Sequence, residues 1–316
     1  MPLNHPVPDR GRSLLSRSLV ITAAFLLIWS CRPGNSGEVT PSGVYQVVET
    51  INGELSALLA ASGGYSGPVV DRPLPTRRQP RHVLQKAREV MLKVQVLRAE
   101  NGLPETQLPP FPTTEATPAD SKLMVTAILR DVLDLRSKFN VTTPVLPAPE
   151  VAGKTPTDVY AGLQRASDTL DALGVPRTMP NDVCRLAVMI NEELEGILVA
   201  RKRTQPAFIA APGTGSKTPE DVYAQAYTVL DRLRAKVEAD PGLTILGGIV
   251  LPNRRDPPLT PNDILDLENS LLAELGAIEA TLGIASRIPV PPLIRGRTPS
   301  DIFDLLARAQ ALVAAL

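Results

Sequence analysis

The chain has 316 residues, equal numbers of basic and acidic side chains (33 each), 32 prolines and an aromatic content of only 3%. A balanced charge provides no basic field to recruit nucleic acid, and no Lys/Arg run with interleaved aromatics is present, so nucleic-acid binding is not expected. Two histidines and two cysteines leave little material for metal or nucleophilic chemistry, and no cofactor is implied.

From the N-terminus, Arg10, Arg12 and Arg17 lead into an apolar stretch from Ser18 to Trp29. About a dozen residues suit the hydrophobic region of a signal peptide and fall short of the ~18–20 needed to span a bilayer. The stretch runs into Leu27-Ile28-Trp29-Ser30-Cys31, followed by Arg32-Pro33-Gly34. A small residue directly before a cysteine at this point resembles the lipobox of bacterial lipoproteins. The resemblance implies that Cys31 is lipidated and becomes the mature N-terminus on the periplasmic side of a membrane. Arg32 after the cysteine implies the outer membrane. The same segment also reads as an ordinary secretory signal, giving a soluble periplasmic or secreted protein, or as an uncleaved anchor. Residues 1–30 are therefore read as signal peptide and 31–39 as a tether. The mature chain keeps 30 basic against 32 acidic residues and one free thiol, Cys184, so its stability must come from packing and not from a disulfide.

Beyond the tether a short phrase recurs. Thr155-Pro156-Thr157-Asp158-Val159-Tyr160 returns as Thr218-Pro219-Glu220-Asp221-Val222-Tyr223 and as Thr298-Pro299-Ser300-Asp301-Ile302-Phe303. Looser copies begin at Thr40-Pro41, Gln79-Pro80, Thr117-Pro118, Met179-Pro180 and Thr260-Pro261. Thr suits the N-cap, Pro the first helical position, and Asp at the third position faces the positive end of the helix dipole. Each copy thus predicts a helix start. Apolar residues follow at fixed offsets, as in Val159, Leu163, Ala166, Leu170 and Leu173 after Pro156. Alternating steps of four and three are the spacing of a helix–helix seam. A second type, Pro180-Asn181-Asp182-Val183 and Pro261-Asn262-Asp263-Ile264, aligns without gaps through Glu193 and Glu274. The prediction is an all-α, repeat-built bundle of about eight N-capped helices joined by proline-rich extended crossovers. It divides into degenerate repeats over 40–143 and better-preserved ones over 144–316.

Helices of about 20 residues are ~30 Å long. Proline-rich connections such as Val141–Lys154 reach ~43 Å in polyproline geometry, enough to run back along a helix and bring the next one in parallel. Only Gly174–Thr178 demands an antiparallel reversal. Ala61–Gly67 and Ala211–Lys217 read as flexible. The apolar Leu243–Leu251 reads as a buried extended arm, a short hairpin or an exposed partner-binding patch.

Candidate chemical groups resolve mostly into packing. His82 stands where other copies carry the capping Asp, and Cys184 reads as a half-buried core residue. Asp120, Asp158, Asp182, Asp221, Asp263 and Asp301 are explained as caps. Gly213-Thr214-Gly215-Ser216-Lys217 lacks the spacing of a phosphate loop. Tyr45, Tyr160, Tyr223 and Phe303 share one repeat position and read as core rings with hydroxyls at the edge. No catalytic, cofactor or metal residue is assigned. The functional expectation is a non-enzymatic, membrane-tethered envelope protein acting as a helical scaffold for a protein partner or for itself. The alternative is a periplasmic sensor or carrier that binds a small apolar ligand between helices.

Overall fold

A computed structural model describes residues 38–64, 77–207, 216–285 and 291–316, and every structural statement below concerns these. The signal segment, Cys31, residues 65–67 of the first stretch read as flexible and residues 211–215 of the second lie outside them. The body from Val39 to Leu316 is one compact unit. It is all-helical among the described residues, with α1 (Pro41–Ala61), α2 (Pro80–Glu100), α3 (Pro118–Leu135), α4 (Pro156–Ala172), α5 (Pro180–Ala200), α6 (Pro219–Ala239), α7 (Pro261–Thr281) and α8 (Pro299–Ala315). All eight begin at the prolines that the recurring phrase marks. The short Pro241–Leu243 turn is 3₁₀. No described helix is long and apolar enough to cross a membrane.

The first-turn chemistry is as the sequence implies. Thr155 N–H donates to Asp158 Oδ2 at 2.8 Å while Asp158 N–H donates to Thr155 Oγ1 at 3.3 Å. The same reciprocal box closes α6 and α8. Hydrogen bonds from Thr155 and Thr298 hold the Asp158 and Asp301 carboxyls below their ordinary value, and a backbone donor from Thr218 does so for Asp221.

The helices assemble as two four-helix bundles. Around the first the order is α1, α3, α2, α4, and around the second α5, α7, α6, α8. Consecutive helices α1 and α2, α3 and α4, α5 and α6, α7 and α8 therefore stand on opposite corners. Within a bundle all helices run parallel. Pro41, Pro80, Pro118 and Pro156 meet at one end of the first bundle, together with Val44, Val83, Ser121 and Val159 from the next turn. Apolar residues at the predicted offsets fill each core: Val48, Ile51, Val90, Ile128 and Leu163 in the first, Ile190, Leu194, Val229, Leu275 and Leu306 in the second, are all at most 1% exposed. The connections make the parallel order possible. Segment 141–154 returns along α1, where Ala148 N–H donates to Thr50 Oγ1 and Ala148 O accepts from Gln46. Gly174–Thr178 carries the chain from the first bundle into the second, and α4 and α5 run in opposite directions.

One feature of the helix starts was not legible in the sequence. At seven of the eight starts, the residue after the helix-start proline docks the flank of a neighbouring helix. Asn181 accepts from Arg297 N–H at the start of α8 (2.9 Å), and Ser300 accepts from Lys217 N–H at the start of α6 (3.0 Å). Glu220 accepts from Leu259 N–H before α7, and Asn262 from the Thr178 hydroxyl before α5. These four links close a ring around the second bundle. In the first bundle Ser42 accepts from Lys154 N–H and Thr157 from Arg78 N–H, in the same rotational sense. The α3-to-α2 link is an Arg81–Glu115 ion pair at 3.0 Å. Ala119 occupies the remaining position and has no side-chain acceptor.

The flanking cations also cover the repeat rings. Lys154 lies 4.5 Å from the Tyr45 ring centre, Lys217 lies 4.4 Å from Phe303 and Arg78 lies 4.5 Å from Tyr160. At three of the four copies the expected ring is thus packed on the core with a cation over it. Of the hydroxyls, that of Tyr223 accepts from Arg255 N–H.

Ser300→Ala removes one link of the ring without disturbing a cap, and is expected to lower stability by about 1 kcal/mol in denaturant unfolding. The depressed aspartates give a second outcome. Their folded pKa lies below the unfolded value, so the stability they contribute is present above about pH 4 and is lost as pH falls below it. Melting curves from pH 6 to pH 2.5 check this: Asp301→Asn should flatten the acid loss.

Candidate functional site

The described residues concentrate their buried polar groups where the two bundles meet, along α2 and α7. These helices cross antiparallel, and α7 is buried along nearly its whole length from Ile264 to Glu279. Helix α2 carries Arg81 and His82 where the recurring phrase has a variable residue and Asp. His82 does substitute for the capping acid: its Nδ1 accepts from Gln79 N–H at 3.1 Å. That bond places the ring proton on Nε2, which lies 3.0 Å from Glu274 Oε1. Burial lowers the His82 pKa against the pull of Glu274, so the ring is neutral near pH 7 and donates to the carboxylate.

Glu274 is the centre of this end of the seam. Burial alone would raise its pKa, but the His82 bond, the Arg81 charge and Val250 N–H hold it low. Arg81 Nε donates to its Oε2 at 2.9 Å and Val250 N–H to its Oε1 at 2.8 Å. The other Arg81 nitrogens reach Glu115 and the carbonyls of Leu246 and Gly248. Those carbonyls come from the Leu243–Leu251 segment. Leu243 and Ile245 are buried, Leu246 is exposed, and the chain turns at Gly247 and Gly248, both with positive φ. A side chain at Gly247 would also collide with Gln79, since a Cβ there meets its Nε2 at 2.6 Å. The segment is therefore an arm with a tight turn pressed on the start of α2.

The other end of the seam is organised by Lys86, whose side chain is fully buried. Its ammonium donates to Glu89 at 2.7 Å and to Asp266 at 2.9 Å. Burial alone would lower its pKa, but these two carboxylates hold it well above the usual lysine value. Asp266, also buried, is drawn down to about 2 by Lys86 and Arg255 despite its desolvation. Glu89 further accepts from Ser167 and Asn269, and Asn269 from Gln85. Arg78 closes the row on Ser270.

A cleft flanks this seam between α2, α5 and α7. One cavity of about 260 Å³ touches Arg88, Phe111 and Met189, and another of about 300 Å³ reaches the 175–179 link and Leu293. Cys184 sits elsewhere, 4% exposed in the second core, its thiol pKa raised by burial. Glu268 is the outlier. It is fully buried, neither oxygen has a hydrogen-bond partner among the described residues, and burial raises its pKa well above the ordinary value.

No group of three or more His, Cys, Asp or Glu placed to hold a metal occurs among the described residues. The seam was not foreseen. Its signal was present as a run of polar and charged residues before and along α2 (Arg78, Arg81, His82, Lys86, Glu89) opposed by Asp266, Asn269 and Glu274 on α7, but it is meaningful only once the two helices are known to face each other.

Lys86→Met leaves Asp266 and Glu89 buried without their shared counter-ion, and is expected to cost about 3–5 kcal/mol in chemical unfolding, far more than a surface lysine. For Glu268 the folded pKa exceeds the unfolded one, so the protein loses stability as pH rises above about 4.3, where the unfolded chain ionises first. Glu268→Gln should remove that loss and be the more stable form at pH 8. Parallel stability–pH curves for the two proteins would contradict the assignment.

No protein-family model, curated protein or solved structure matches this chain.

Proposed function

We propose that the chain is a non-enzymatic, lipid-tethered envelope protein whose two-bundle body serves as a helical scaffold for a protein partner or for a second copy of itself. The observation that carries the reading is the use made of the buried charged groups along α2 and α7. Arg81, His82, Lys86, Asp266 and Glu274 satisfy one another across the seam, so their chemistry goes into fixing one bundle against the other. Large apolar side chains stand out on that body, with Leu146 79%, Leu246 74% and Val199 67% exposed. A fixed frame that presents such residues suits protein contact. The lipobox resemblance at Cys31 supplies the tether.

A second reading, a carrier of a small apolar ligand, is favoured by the cleft beside the seam. Both bundle cores are filled, so a ligand would sit between bundles and not inside one. Its volume of about 300 Å³ is at the small end of the ligand-pocket range of ~300–1,000 Å³.

Two measurements in the native envelope test the first reading. Cys31→Ala should move the protein from the membrane to the soluble fraction; retention on the membrane would remove the tether. Photo-crosslinkers placed at Leu146, Val199 and Leu246 should give a discrete adduct from one face, either with one partner or with the protein itself. No adduct from any of the three positions, with a monomer in solution, would contradict the scaffold.

A further inference from the structure

We propose that the cleft between α2, α5 and α7 is a binding site for a small amphiphile with one anionic head, such as a medium-length alkyl carboxylate or alkyl phosphate. This rests on the carrier reading and specifies its ligand class.

The walls are apolar and come from both bundles. Leu92 and Val96 on α2 face Leu186 and Met189 on α5, with Leu265 of α7 and Leu293 completing the lining. Two of these side chains, Val96 at 39% and Leu293 at 46%, are among the exposed large hydrophobics, and Met179 at the same rim is 55% exposed. Apolar side chains from three separate segments thus converge on one opening. An apolar tail entering it would remove them from water.

The charged groups facing the cleft give the head its sign. Its carboxylates are already engaged: Glu89 by Lys86, Ser167 and Asn269, and Asp182 by Met179 N–H at the start of α5. Among the cations, Lys93 is paired with Asp171, and Arg88 stacks on Phe111 at 4.8 Å. Arg177 and Arg185 also line the cleft. Arg185 Nη2 forms a long ion pair with Asp182 at 3.8 Å, and its buried Nε has no hydrogen-bond acceptor among the described residues. Arg177, on the link between the bundles, is exposed beside it. The exposed Arg177 guanidinium and the loosely paired Arg185, both lining an apolar slot, recognise an oxyanion by charge-assisted hydrogen bonds. A neutral or cationic amphiphile gains no such bonds.

The compact body from Val39 to Leu316 contains no tryptophan, so Val96→Trp places a single fluorescent reporter at the rim. Decanoate and decyl phosphate, titrated into this protein without detergent, should shift the emission and saturate below about 1 mM. Decanol and decyltrimethylammonium should bind at least tenfold more weakly. Arg177→Gln with Arg185→Gln should cut decanoate affinity at least tenfold while leaving decanol affinity and the melting temperature unchanged. Equal binding of decanol and decanoate, or an unchanged affinity in the double variant, would overturn the anionic-head assignment while leaving the carrier reading standing. Saturation by none of the four probes overturns both. If, in addition, the unmodified body sediments as a dimer that Val96→Asp dissociates, a second copy covers the cleft and the scaffold reading takes the site.

Discussion

The fold depends on bringing four helix N-termini to one end of each bundle. Parallel helices align their dipoles, so four partial positive charges and sixteen first-turn amides crowd together, an arrangement that favours splaying unless it is answered locally. The recurring phrase answers it residue by residue. Thr takes one amide, Asp supplies the negative charge, Pro removes a donor, and the residue between Pro and Asp reaches sideways to hold the next helix. In the second bundle that sideways residue is Asn181, Glu220, Asn262 or Ser300, and the four links close on themselves. A phrase that caps a helix and docks its neighbour explains both why the starts are so alike and why the connections must be long enough to run back.

The seam between bundles follows from a departure in this pattern. At α2 the docking position is Arg81 and the capping position His82, and both keep their original task in altered form while turning toward α7. A cap became a bridge. The result is a polar interface at the centre of the molecule, flanked by filled apolar cores. Buried ion pairs of this kind contribute little net stability compared with apolar packing, but they are costly to break and specify one register. We read Lys86 between Glu89 and Asp266 in that way: it fixes where along α7 the first bundle sits. Glu268, buried without a partner on the opposite side of α7, has no such role, and we have no physical account of why it is a glutamate.

Much of the fold was legible in the sequence because the phrase is local chemistry. All eight starts, the capping aspartates, the capping role of His82, the core offsets and the parallel option offered by long connections could be read without knowing which helix lies beside which. What could not be read were the features that need neighbours. The variable residue of the phrase carries no local signal because its partner lies in a different helix. The charges of α2 carried no assignment, and Glu274 read only as a repeat marker, until α7 was seen to lie across α2. The cleft was illegible for the same reason, since its walls belong to three helices, the 175–179 link and Leu293.

The most direct test of the parallel arrangement is a pair of spin-label distances in the first bundle, in a Cys184→Ala background. Arg77 and Ala119 flank the starts of the adjacent helices α2 and α3, and Ser137 follows the end of α3; all three are exposed. Labels at Arg77→Cys and Ala119→Cys should lie close together. Labels at Arg77→Cys and Ser137→Cys should be separated by most of a helix length, on the order of 25–30 Å. A short Arg77–Ser137 distance with a long Arg77–Ala119 one would mean that α2 and α3 are antiparallel, and would contradict the account at its base.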